Sequence, residues 1–128
     1  MMKNVKIIKH PCFNEDGELI NEIVKHFKYD MNKNKDPLKY LYRIIGIGND
    51  CNNPEKRYVI YETVYKNNTF LKSGENKIWV REYNEFFSKV NKNKYPNALQ
   101  KYRFEPVAIW FLWEKQAEYY QLYISEVK

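Results

Sequence analysis

The apolar positions change their period between residues 77 and 90, KIWVREYNEFFSKV. Ile78 and Val80 alternate with Trp79 and Arg81, the two-residue repeat of a half-buried strand. Tyr83, Phe86, Phe87 and Val90 then recur at i, i+3, i+4 and i+7, the repeat of a short amphipathic helix. A strand that hands its chain straight to a helix needs a sheet to pair with and a core to receive both apolar faces. Residues 57–65 supply the firmest strand, with Tyr58, Ile60 and Val64 opposed to Val59, Tyr61, Thr63 and Tyr65. Residues 38–47 supply another: Leu41, Arg43, Ile45 and Ile47 lie on one face, Tyr40, Tyr42 and Ile44 on the other, and Gly46 and Gly48 are expected to end it. Because residues 49–56, NDCNNPEK, are turn chemistry throughout, these two strands should form an antiparallel hairpin, and residues 77–81 should pair with the second of them.

The remaining segments attach to this frame. Residues 5–8 read as a short strand, and Asn14-Glu15-Asp16-Gly17 reads as a turn through its Asp-Gly. Leu19, Ile20, Ile23, Val24 and Phe27 fit a helical stripe and also the second arm of a hairpin; an extended segment over 23–29 is the expectation adopted. Residues 31–37 and 66–76 are polar loops, the second with Phe70 and Leu71 as a surface anchor, and 102–107 is a last short strand. Trp113, Ala117, Tyr120, Ile124 and Val127 recur at four and three residues, which predicts an amphipathic helix over 114–128, preceded by Trp110 and Trp113. Such a stripe has to be buried on the protein's own sheet or on a second subunit, so the chain is expected to be a monomer or a homodimer through this helix.

Composition narrows the class. A chain of 128 residues fits one domain over 1–128 and can bury about two-thirds of the surface its unfolded form exposes. The net charge of +6 raises nucleic acid as a partner, yet only four of the 22 basic residues are arginines, and the lysines are dispersed among asparagine, isoleucine and tyrosine as in an AT-rich genome. Cys12 and Cys51 have no CxxC or paired histidine beside them, so reduced thiols are expected, with no metal and no cofactor. The N-terminus lacks the apolar stretch of a signal peptide. The longest apolar run, 108–113, falls far short of the roughly 20 residues of a spanning helix. A cytoplasmic protein without a membrane partner is expected.

Several of these residues carry a resemblance. Lys25-His26-Phe27-Lys28, Lys39-Tyr40-Leu41-Tyr42, Ile44-Ile45-Gly46-Ile47, Val59-Ile60-Tyr61 with Tyr65, Val80-Arg81, Phe86, Ser88-Lys89-Val90, Lys94-Tyr95-Pro96 and Gln100-Lys101-Tyr102-Arg103-Phe104-Glu105 follow one another as in the small bacterial and phage domain-of-unknown-function family 1653. The resemblance covers about residues 24–107, leaving 1–23 as an N-terminal extension and 108–128 as a C-terminal tail. It implies a mainly β fold, a small SH3-like antiparallel β-barrel with a short helix after the 77–81 strand, and it implies no activity. Two departures stand out: Glu82 replaces the family's usual proline after the arginine, and Glu85 replaces the usual methionine before the helix phenylalanine. In addition, relatives usually join the 57–65 and 77–81 strands by a tight turn, where residues 66–76 are longer here; if relatives bind at that turn, this chain has altered or capped the site.

No catalytic constellation accompanies these motifs. His10 and His26 have no serine or carboxylate at a recognisable spacing, and Glu62, Glu82 and Glu85 read as surface charges without a nucleophile or metal. A strand places Trp79 and Arg81 on one face, and a hairpin neighbour bearing Tyr61 and Tyr65 brings rings beside that guanidinium. His26, Tyr61, Tyr65, Trp79 and Arg81 are therefore the candidate ligand-binding residues, at least two of them on the rim of a shallow groove; a structural brace around Arg81 is the alternative. Three functional classes follow in order. The first is a non-enzymatic binding module for a protein segment or small ligand, such as a phage or mobile-element inhibitor of a host defence system. The second is a nucleic-acid binder using dispersed lysines and stacking, and the third is an enzyme of unrecognised chemistry.

Overall fold

The computed structural model describes residues 10–19, 23–31, 36–64 and 77–127. Five strands make one antiparallel sheet: β1 (Ile23–His26), β2 (Leu41–Asn49), β3 (Arg57–Thr63), β4 (Ile78–Glu82) and β5 (Phe104–Pro106), in the order β4-β3-β2-β1-β5. Helix α1 (Tyr83–Phe86) follows β4 directly, α2 (Ile109–Val127) ends the chain, and a 3-10 turn, Phe27–Met31, follows β1. The fold is mainly β, as expected. The sheet is open rather than closed into the barrel that the resemblance implies, since among the described residues β4 and β5 stand at opposite ends of the order. The strand expected over residues 5–8 and the whole loop at 66–76 lie outside the described residues.

The expected hairpin is present, with Tyr42 opposite Thr63 and Asn49 opposite Arg57, and β4 pairs with β3 through Tyr61 opposite Trp79 and Val59 opposite Arg81. Gly46 and Gly48 do not end β2. The strand runs through both, and the register slips between Ile44 and Gly46, so Ile45 bulges outward and is half exposed. The expected extended segment over 23–29 divides after His26, where the chain coils into the 3-10 turn and buries Phe27 against Val90 and Ala98. Upstream, the Asn14-to-Gly17 turn forms as read: Asn14 Oδ1 accepts the Asp16 and Glu18 amides, and Gly17 takes a φ of 80°. It folds Cys12, Phe13 and Leu19 onto the core.

Directly opposed residues share a face of a sheet. Val24, His26, Tyr42, Ile44, Val59, Tyr61, Trp79, Arg81 and Phe104 therefore lie on one side, covered by α1 and the 10–19 segment. Ile23 and Leu41 lie on the other, joined by Leu38, Val64 and Leu112. Glu62 is on that second side, buried and bonded to Arg43, and so is not the surface charge its composition suggested.

Helix α1 is a single turn. Its predicted period extends to Val90, but the chain leaves the helix at Phe87; Tyr83, Phe86, Phe87 and Val90 are nevertheless all buried. One turn cannot nucleate on its own energy. Glu82 caps it, its carboxylate accepting the amides of Asn84 and Glu85 at 3.3 and 3.1 Å, and the Arg57 guanidinium lies 3.8 Å over the Tyr83 ring. The Glu82 carboxylate thus holds the start of the helix.

Helix α2 begins at Ile109, five residues before the expected start at 114, so Trp110 and Trp113 lie inside it. The stripe read from sequence is not the packed one. Leu112, Phe111 and Tyr119 meet the sheet, whereas Trp113 is 60% exposed and Tyr120 45% exposed; the side chains of Ile124 and Val127 lie outside the described residues. The helix carries two apolar faces, and periodicity alone does not say which of them is covered.

Two stability measurements check this packing. Urea unfolding of Leu112→Ala should show a loss of about 2–5 kcal/mol, with Trp113→Ala within about 0.5 kcal/mol of the parent; equal losses would reverse the assigned faces. Phe86→Ala should lose about 3–5 kcal/mol, and an unchanged melting temperature would refute its placement.

Candidate functional site

The centre of the first face is aromatic. The Phe86 ring lies parallel to Phe104, with centroids 4.0 Å apart and planes at 7°, and Tyr61 meets both edge-on at 5.2 and 5.5 Å. Tyr42 packs edge-on against Tyr61 at 5.2 Å. This cluster fixes the Tyr61 ring and leaves its hydroxyl free to accept a hydrogen bond from Arg81 Nε at 3.3 Å. The Arg81 guanidinium lies 5.9 Å from the centre of the Phe104 ring and donates through a terminal nitrogen to Glu85, four residues on. Arg81 thus runs from the aromatic core to the surface, its side chain 30% exposed.

His26 borders the same cluster. Its ring meets Phe104 edge-on at 5.0 Å and lies near-parallel to Tyr40 at 5.6 Å. Its Nδ1 accepts the Lys28 amide at 3.1 Å. Burial, followed by the nearby Arg103, Arg81 and Lys28 cations, holds the His26 pKa down to about 3, so the ring is neutral at pH 7. Tyr40 has a φ of 71°, a left-handed backbone rare for a bulky residue, and its carbonyl accepts the His26 amide at 2.9 Å. Strain is therefore stored beside His26.

Of the five candidates, His26, Tyr61, Trp79 and Arg81 lie on one face of the sheet; Tyr65 lies outside the described residues. Tyr61 is buried in the core and offers only its hydroxyl, whereas Trp79 is 43% exposed. Four neighbours were missed from the sequence. Arg103 donates through Nε to Ser88 Oγ at 3.4 Å, Ser88 donates to the Glu85 carbonyl at 2.6 Å, and Tyr40 and Tyr42 flank His26 and Tyr61. The i,i+4 spacing of Arg81 and Glu85 was a readable signal for one ion pair. Nothing local announced Arg103, which the chain brings in from the turn before β5.

Chemically, these groups are donors and rings. A general base is most effective with a pKa near the working pH, and a histidine held at about 3 is far from it. Cys12 is fully buried, and burial pushes its thiol up to about 12. Among the described residues no three His, Cys, Asp or Glu side chains gather as a metal site. No helix among them is long and apolar enough to cross a membrane.

The sequence model of a family described as "Protein of unknown function (DUF1653)" matches residues 22–106. The chain belongs to that family. Neither the curated proteins nor the solved structures gave a match.

The depressed His26 pKa sets a pH dependence. Between about pH 6.5 and 3 the unfolded chain binds a proton at this position that the folded protein refuses, so stability is complete above about pH 6.5 and is lost as the pH falls through that window. Urea midpoints should therefore drop between pH 6.5 and 5, before most carboxylates titrate. His26→Gln should flatten that slope, and an unchanged slope would contradict the buried neutral ring.

Proposed function

We propose that this member of the DUF1653 family is a non-enzymatic binding module whose ligand, a protein segment or small molecule, docks beside β4 on the face carrying Arg81, Trp79, the Tyr61 hydroxyl and His26. The observation that carries this reading is the position of Arg81: its base is anchored by the buried Tyr61, while its outer edge and Trp79 reach solvent on the same face. A cation and an exposed ring held on a rigid sheet lose little entropy on binding. The neutral, low-pKa His26 and the buried Cys12 favour recognition over acid–base or nucleophilic chemistry.

Nucleic acid is the less favoured partner. Lys25, Lys39, Lys56 and Lys101 each hold an ammonium over a tyrosine ring of this chain, 5.3–5.7 Å from its centre, and those tyrosines lie on different parts of the fold. Such lysines cover ring faces that stacked bases would need, and they do not line up as a phosphate track.

A ligand screen read by amide and indole NMR tests the proposal. Bound ligands should shift the Trp79 indole and the 78–82 amides, and Arg81→Ala should weaken that binding roughly tenfold while the protein stays folded. An Arg81→Ala protein that unfolds would make the residue a brace. Shifts confined to other surfaces, or a steeply salt-dependent affinity for DNA or RNA, would also contradict the reading.

A further inference from the structure

We propose that this surface takes an oxyanion, held by guanidinium N–H groups of Arg81 and Arg103 and by the Nε2–H of His26, and that the Glu85 carboxylate is an internal stand-in which the incoming anion displaces. The proposal rests on the binding reading above and names the ligand chemistry of the same surface.

Three open donors are present. The Lys28 amide donates to His26 Nδ1, which places the proton of the neutral ring on Nε2, and Nε2 has no partner among the described residues. Arg81 uses Nε on Tyr61 and one terminal nitrogen on Glu85, leaving the other without a partner among the described residues. Arg103 uses only Nε, on Ser88 Oγ. A guanidinium cannot deprotonate, so every group left open donates and none accepts.

The scaffold brings these donors together. His26 and Arg81 both rest on the Phe104 ring, and Arg103 is the preceding residue. Ser88 joins the Arg103 side to the Glu85 side, accepting from one and donating to the other's carbonyl. The charges whose fields reach His26 most strongly, those of Arg103, Arg81 and Lys28, are all positive, and Glu85 is the carboxylate bonded to Arg81. Glu85 is itself half exposed, and an exposed i,i+4 ion pair contributes little, so an external anion bonded to two guanidiniums can exchange with it. Trp79 lies on the same face, 43% exposed, with the Lys77 ammonium 5.9 Å from its ring centre, so a planar body attached to the anion meets the ring on its uncovered side.

The test titrates the whole protein with acetate, benzoate and inorganic phosphate at low salt, following the His26 Nε2, Arg81 Nε and Arg103 Nε resonances. At least one anion should give a saturable shift at all three groups, weakening as ionic strength rises. Glu85→Gln should tighten binding roughly fivefold by removing the competitor, and Arg103→Gln should weaken it roughly tenfold. Saturation by phosphate alone assigns a phosphoryl group, and saturation by acetate and benzoate assigns a carboxylate; either supports the proposal. No saturable shift in the parent or in Glu85→Gln, or weaker binding in Glu85→Gln, overturns it. If uncharged ligands alone then shift Trp79 and Arg81, the binding reading survives without the anion. If no ligand moves these residues, both fall.

Discussion

The parallel contact between Phe86 and Phe104 is the constraint on which the rest depends. It joins a one-turn helix that starts at the end of β4 to a three-residue strand at the far edge of the sheet, two elements too short to hold themselves. Between them the rings of Tyr61 and Tyr42 are fixed edge-on, so the hydroxyl of Tyr61 has one place to go. Arg81 takes that hydroxyl because Val59 and Arg81 are opposed in the β3–β4 ladder, one pleat along from Tyr61 and Trp79. The position of the guanidinium is thus a consequence of core packing.

The two faces of the sheet divide the work. The face under α2 is built from aliphatic residues, Ile23, Leu38, Leu41, Val64 and Leu112, and its charged pair, Arg43 with Glu62, is satisfied within the protein. The face under α1 is largely aromatic, and Arg81 and His26 both lie against its Phe104 ring. Aromatic side chains give large buried area with few rotors, and their edges tolerate neighbouring cations. That combination lets one face serve both as core and as a rigid base for Arg81, Arg103 and His26.

Much of this was legible in the sequence because strict alternation has one structural meaning when one face is buried. Residues 57–65 and 77–81 were read as strands for that reason, and the change of period at Tyr83 located α1. Other features depend on partners that no local pattern names. Gly46 and Gly48 looked like a strand end but lie within a bulged strand, because pairing with β3 continues past them. The tail shows apolar residues on two faces of one helix; Trp113 and Tyr120 gave the cleaner repeat, while Leu112 fitted the sheet. His26 read only as a histidine without a catalytic partner, and it is neutral because burial acts together with the cations of Arg103 and Arg81, from two distant segments, and of the neighbouring Lys28. Arg103 was invisible for the same reason, since its role comes from β5 pairing with β1.

The central claim is that the aromatic cluster fixes Arg81 through the Tyr61 hydroxyl. The most direct measurement is the NMR signal of the Arg81 Nε–H in the parent protein and in Tyr61→Phe, which keeps the ring and removes only the acceptor. A distinct signal protected from solvent exchange in the parent, and an averaged, rapidly exchanging one in a folded Tyr61→Phe, is the predicted result. An averaged signal in the parent, or the same protection in both proteins, would contradict it.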